Sequence, residues 1–117
     1  MSHSGFVEIN DVAALDRFVA EANGGPAILF KHSNSCGVSA RAHGEMSRLN
    51  QSVGLVVVQE ARDVSDEIER RYNTPHETPQ TLIVRGNKVL WDASHYRVRA
   101  HAVEEALDSV RVVSASK

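Results

Sequence analysis

The chain has one cysteine, Cys36, in 117 residues. A lone thiol excludes an intrachain disulfide and any metal site built from several cysteines of one chain. Its chemistry must be monothiol, or must recruit a partner. Basic residues are not in excess either: 13 Lys and Arg stand against 15 Asp and Glu, a formal net charge of −2. Without a surplus of cations to neutralise phosphates, the composition argues against a nucleic-acid binder. No apolar run approaches the roughly 20 residues that span a bilayer. The first eight residues lack a basic start followed by an apolar stretch, so they do not read as a secretory signal. The expected location is cytoplasmic, a reducing compartment that a single cysteine fits. Repeats, low-complexity tracts and long linkers are absent as well. The length and the 42% hydrophobic share are those of one soluble domain, residues 1–117, able to bury a core.

What is present is a strict alternation of helical and strand patterns. Val12, Leu15, Phe18, Val19 and Ala22 recur at helical spacing over about residues 11–23, with Asn10 or Asp11 as cap and Gly24-Gly25 as stop. Pro26 leads into the apolar run Ala27-Ile28-Leu29-Phe30, a buried strand. Lys31 to Ser35 then reads as a polar turn, and a second helix is expected over about residues 36–50, with Val38, Ala42, Met46 and Leu49 on one face. The Val-rich run 53–58 is a strand covered on both faces. A third helix is expected over about 63–72. The stretches 81–84 and 88–91 are strands joined by Arg85-Gly86-Asn87, short enough for a hairpin. A last helix is expected over about 102–112, and Arg99-Ala100-His101 offers it no local cap. A right-handed parallel crossover in the middle followed by an antiparallel hairpin predicts an α/β domain: a mixed four-stranded sheet flanked by helices on both faces.

Cys36 is placed by this pattern just after a buried strand and a polar turn. With Asn34 or Ser35 as cap, it falls in the first turn of the second helix. Unpaired N–H groups and the helix dipole there favour a thiolate. Such sites lower a thiol pKa from about 8.5 to about 3.5–7.5, which yields the form that attacks disulfides. Ser39, three residues on, stands where a Cys-x-x-Cys motif has its resolving thiol. A hydroxyl cannot complete a disulfide, so a mixed disulfide at Cys36 would wait for an outside thiol. Thr78-Pro79 opens the third strand. An ordinary trans proline suits a strand start. In this element order a cis bond is the sharper reading, turning the Thr78 backbone toward Cys36 to pair with an extended substrate.

Phe30-Lys31-His32-Ser33, Cys36, Ser39, His76-Glu77-Thr78-Pro79-Gln80 and Ser94-His95-Tyr96 together resemble the YtxJ family of bacillithiol-system redox proteins, the monothiol bacilliredoxins. The likeness runs from the first helix to the last, and the His-Glu-x-Pro-Gln and Ser-His-Tyr segments are more specific than the cysteine. More broadly the chain is similar to thioredoxins and glutaredoxins. The resemblance implies a thioredoxin-like fold, Cys36 as redox nucleophile and Pro79 as the cis-proline. It also implies bacillithiolated proteins as substrates: Cys36 would take up the bacillithiol cap, release the protein thiol, and be regenerated by free bacillithiol or another redox protein. Such an enzyme would contribute to cell redox homeostasis. Bacillithiol would then be a co-substrate, with no tightly bound cofactor. Gly37 stands where the family often has Pro. Cys36-Gly37-Val38-Ser39 is therefore also similar to the Cys-Gly-Phe-Ser motif of monothiol glutaredoxins, which bind iron–sulfur clusters with glutathione.

Substrate contacts are expected from Ser35, Gly37, Ser39, Thr78, Pro79, His76 and His95. The third strand starts beside Cys36 and the fourth returns toward it, so His76 and His95 should flank one rim and either contact the thiol substrate or tune Cys36. Solvated or structural roles remain the alternative for both. His32, His43, His76, His95 and His101 match no compact ligand motif, so no metal is expected. Lys31, Arg41 and Arg97 could face an anionic thiol, although charged side chains are mostly solvated. Two other readings stay open: an iron–sulfur cluster module joining two copies through Cys36, and a thioredoxin-like interaction domain with an inert cysteine. Visible absorbance after iron and sulfide loading would favour the first. Alkylation of Cys36 no faster than a free thiol would favour the second.

Overall fold

The computed structural model describes residues 5–115. The elements run β1 (Gly5–Glu8), α1 (Val12–Ala20), β2 (Ala27–His32), α2 (Gly37–Met46), β3 (Ser52–Val57), α3 (Arg62–Tyr72), β4 (Gln80–Arg85), β5 (Lys88–Ser94), a 3-10 turn (His95–Arg97) and α4 (Ala100–Ala115). They form one mixed sheet in the order β1-β3-β2-β4-β5. The sheet has five strands rather than four. The additional strand, β1, pairs parallel with β3 from Gly5↔Ser52 to Glu8↔Leu55. Four residues, two of them exposed, are too few to show an alternating pattern, so only the partner strand makes this a strand.

β2 and β3 are parallel, while β4 runs antiparallel to both β2 and β5. β1, β3, β2 and β5 therefore all point the same way. Each is followed by a helix, so all four helices begin at one end of the sheet. On one face Ile28, Phe30, Val53, Leu55 and Ile83 pack with Ala42 and Met46 of α2 and Val103 and Leu107 of α4. On the other, Leu29, Val56, Leu82 and Val84 pack with Leu15 of α1 and Val64, Ile68 and Tyr72 of α3. Residue 54 is glycine because Ile9, just after β1, and Phe18 of α1 press close: a Cβ there would lie 2.6 Å from Ile9 Cδ1 and 3.0 Å from the Phe18 ring.

β2 is buried along its whole length, Lys31 and His32 included. These two residues do not begin the polar turn, as their chemistry suggested, but complete the central strand. The turn is only Ser33 to Ser35.

The four helix starts are closed differently. Asp11 caps α1, its carboxylate accepting from Ala14 N at 2.7 Å. α4 begins two residues earlier than expected and lacks a local cap, but Glu45 of α2 supplies one: Ala100 N donates to Glu45 Oε1 at 2.9 Å. α2 and α3 have no side-chain cap at all.

Candidate active site

The site lies where β2 ends. α2 starts one residue later than expected, so Cys36 is its N-cap residue rather than part of its first turn. Its backbone is extended (φ −121°, ψ 125°), and its carbonyl accepts the first helical hydrogen bond from Ala40 N at 3.0 Å. Its side chain is partly exposed and the thiol is free. The uncapped N–H groups of the first turn of α2 follow directly after it.

Hydrogen bonds tie down the turn before Cys36. Gln59, just beyond β3, donates from Nε2 to Ser33 Oγ at 2.9 Å and to Ser35 Oγ at 3.2 Å. Its Oε1 accepts from Asn34 N at 3.1 Å. From below, Ser39 Oγ accepts from Ser33 N at 3.2 Å. Ser39 is fully buried, which corrects its expected place among the substrate contacts. Its hydroxyl points back into the turn that carries Cys36 and shapes that turn from inside. Ser35 and Gly37, on either side of Cys36, are exposed. Gln59 lay outside the sequence reading. It belongs to no motif, and its partners are about 25 residues away.

The neighbouring rim comes from β4 and β5. The Thr78–Pro79 peptide is cis. Lys31 of β2 is paired with Gln80, which puts Pro79 level with His32 at the strand end that leads to Cys36. Gln80 in turn faces Ser94. The chain then turns at His95, in a left-handed conformation (φ 59°), and His95 N donates to Pro79 O at 2.8 Å. His95 Nε2 meets Glu77 Oε1 at 2.8 Å. Thr78, Pro79 and His95 are thus assembled on one rim, as the topology suggested. His76 parts from them: its ring turns to α3, Nδ1 lying 3.2 Å from Ser65 Oγ, while its N–H donates to Glu69 Oε2 at 3.1 Å.

Beneath the rim is Lys31, with no exposed surface. Its Nζ has no hydrogen-bond partner among the described residues. Burial lowers its pKa from 10.5 to about 8, against the opposing pull of Glu69, Asp66 and Glu77. Burial, and then the Lys31 charge, also lower the pKa of His76. His32 lies on the opposite face, its ring centroid 5.0 Å from that of His43. Burial and that neighbour lower its pKa. In both, burial favours the neutral imidazole. Among the described residues no cluster of three or more His, Cys, Asp or Glu could hold a metal ion, and no described helix is long and apolar enough to cross a membrane.

Comparison with known proteins agrees with this architecture. A solved thioredoxin-fold protein described as a candidate oxidoreductase superposes with a TM-score of 0.80 at 22% identity, over 86% of this chain and 92% of its own. Fasciola hepatica thioredoxin superposes with a TM-score of 0.71 at 12% identity, over 87% and 96%. Mitochondrial thioredoxin 3 from Saccharomyces cerevisiae, in its oxidized form, does so with a TM-score of 0.69 at 10% identity, over 89% and 94%. At such identities these matches show the fold, which is that of thioredoxin. The family model for the monothiol bacilliredoxin BrxC matches residues 7–103, a span that holds the Cys36 turn, the Pro79 rim and the start of α4. A thioredoxin fold with one free thiol at an uncapped helix start is thus joined to a family match over most of the sequence, and the chain belongs to the monothiol bacilliredoxin family.

Proposed function

We propose that the protein is a monothiol thiol–disulfide oxidoreductase that removes bacillithiol from capped protein thiols through Cys36, in the cytoplasm. The observation that carries this reading is the position of the only cysteine. It is partly exposed, it stands at the N-cap of α2, and no side chain competes for the helix's free N–H groups. Free N–H groups at a helix start are in general donors to a neighbouring anion.

The exchange balances in two steps. The Cys36 thiolate attacks the bacillithiol sulfur of a protein–bacillithiol disulfide. A Cys36 Sγ–S bond forms, the old S–S bond breaks, and the protein leaves as a thiolate that takes a proton from water. A second bacillithiol thiolate then attacks the bacillithiol sulfur held on Cys36. That step frees the Cys36 thiolate and yields bacillithiol disulfide. Ser39 cannot intercept the first product, because a hydroxyl forms no disulfide. The Thr78–Pro79 rim, at the mouth of β4, is where an extended stretch of substrate would lie against the site, with Ser35, Gly37 and His95 around it.

Intact-mass analysis tests the reading. Reduced protein mixed with a bacillithiol-capped peptide should gain one bacillithiol on Cys36 while the peptide loses its cap, and Cys36→Ala should do neither. A peptide that stays capped in the presence of the wild-type protein would overturn it.

A further inference from the structure

The segments His76-Glu77-Thr78-Pro79-Gln80 and Ser94-His95-Tyr96 mark this sequence more specifically than its cysteine does, yet the exchange steps above use neither Glu77 nor Gln80. Gln80 opens β4 and is buried. Both ends of its amide are committed to the loop before it. Nε2 donates to Pro75 O at 3.0 Å, and Oε1 accepts from Glu77 N at 3.4 Å. Its cross-strand neighbour Lys31 is buried alongside it, but the Lys31 ammonium bonds nothing among the described residues. The amide, not the ammonium, therefore fastens the loop from within. Removing it would leave buried polar groups of the loop unpaired.

Further bonds hold the same loop from outside. Glu69 of α3 accepts from His76 N at 3.1 Å. Glu77 Oε1 meets His95 Nε2 at 2.8 Å, and His95 N donates to Pro79 O at 2.8 Å. His95 makes both contacts from a left-handed backbone (φ 59°), an unfavourable conformation for a residue with a Cβ. From Pro75 to Pro79 every residue is thus tied down except Thr78. Thr78 is only partly buried, and no hydrogen bond among the described residues involves it.

We infer that Gln80 and Glu77 are positioning residues that fix this loop in the one form that leaves the Thr78 backbone unpaired at the strand end beside the Cys36 turn. The inference rests on the proposed function and names what keeps its substrate rim in shape. An extended substrate then finds its partner groups already in place, which lowers the ordering cost of binding. Neither residue bonds Cys36 among the described residues, so their loss acts on binding and not on the sulfur. It should appear in KM and leave kcat nearly unchanged.

Steady-state kinetics test this. Gln80→Met keeps the length of the side chain and removes both loop bonds. Its KM for a bacillithiol-capped peptide should rise about tenfold, with kcat within about twofold of wild type, as for loss of a buried hydrogen bond. Glu77→Ala, at an exposed pair, should raise KM about threefold. Reaction of Cys36 with dithiodipyridine, a disulfide without a peptide backbone, should run at the wild-type rate in both variants. Unchanged KM values overturn the inference. So does an equal slowing toward dithiodipyridine, which would mean general damage to the fold. If Gln80→Met does not fold, Glu77→Ala decides alone. If the wild-type protein uncaps no peptide, the proposed function falls separately. The positioning role is then decided by amide exchange in isotopically labelled protein whose Cys36 is joined through a disulfide to a plain cysteine peptide. The joined peptide should slow exchange of the Thr78 N–H about tenfold in the wild-type protein and not in whichever variant folds. No slowing in wild type, or the same slowing in the variant, overturns it.

Discussion

Two of the four helices start on a carboxylate that accepts from their first N–H groups, and two start without a side-chain cap. All four amino ends sit at the same end of the sheet, so the difference is not one of position. Asp11 closes α1 from within its own segment, and Glu45 closes α4 from another helix. α2 opens on the Cys36 thiol, and α3 opens at Ala61 with Asp63 in its first turn. A side-chain cap is worth about 1 kcal/mol, and α2 forgoes it at the residue that carries the thiol.

The sharpest way to break this contrast is Cys36→Asp, which puts a carboxylate cap on α2. Exchange activity should fall to background, because no other thiol exists in the chain. Stability should rise by about 0.5–1 kcal/mol in urea unfolding. A variant that loses activity and also loses stability would mean the α2 start is not waiting for a cap.

Next in size is the charge beneath the open ends. Lys31→Met should raise stability at pH 7 by about 2 kcal/mol, since it removes the cost of a buried, unbonded ammonium. The sign follows from the protonation states. The folded-state pKa of Lys31 is lowered to about 8, so between about pH 8 and 10.5 the unfolded chain binds a proton that the folded chain does not. Stability of the wild-type protein then gains with rising pH across that window. The difference between the two proteins should be largest below pH 8 and shrink toward pH 10.5. A difference that stays flat would place the lysine in a solvated environment.

The capped ends respond in the opposite sense. Glu45→Ala should cost about 1–2 kcal/mol, because Ala100 N loses its only described acceptor at a half-buried start. Glu45→Gln, which keeps an oxygen in place, should cost less. The smallest effect is Asp11→Ala, about 1 kcal/mol at an exposed helix start. Both belong to denaturant titrations, with exchange activity as the control that should not move.

Local chemistry made part of this legible in the sequence. The run Ala27 to Phe30 followed by Ser33-Asn34-Ser35-Cys36 announces a buried strand feeding a helix, and the α2 start followed to within one residue. Thr78-Pro79 before an apolar run marked the opposing rim. Features that depend on distant partners stayed hidden. Gly5 to Glu8 become a strand only because Ser52 to Leu55 lie alongside. Lys31 and His32 look like turn residues, and their burial is decided by the helices that cover both faces of β2. The cap for Ala100 comes from 55 positions away. Gln59, which ties down the Cys36 turn from just beyond β3, bears no local mark of its role.

The common orientation of the helices reaches beyond the site itself. Macrodipoles pointing the same way add up, and carboxylates stand at three of the four amino ends, Asp11 on α1, Glu45 on α4 and Asp63 in the first turn of α3, which leaves α2, beside Cys36, as the start without one. An anion approaching that end meets the one amino terminus whose partial positive charge no carboxylate offsets. Its encounter rate would then slow as added electrolyte shortens the range of the field, to about 8 Å at physiological ionic strength, while a neutral disulfide would arrive at the same rate in any buffer.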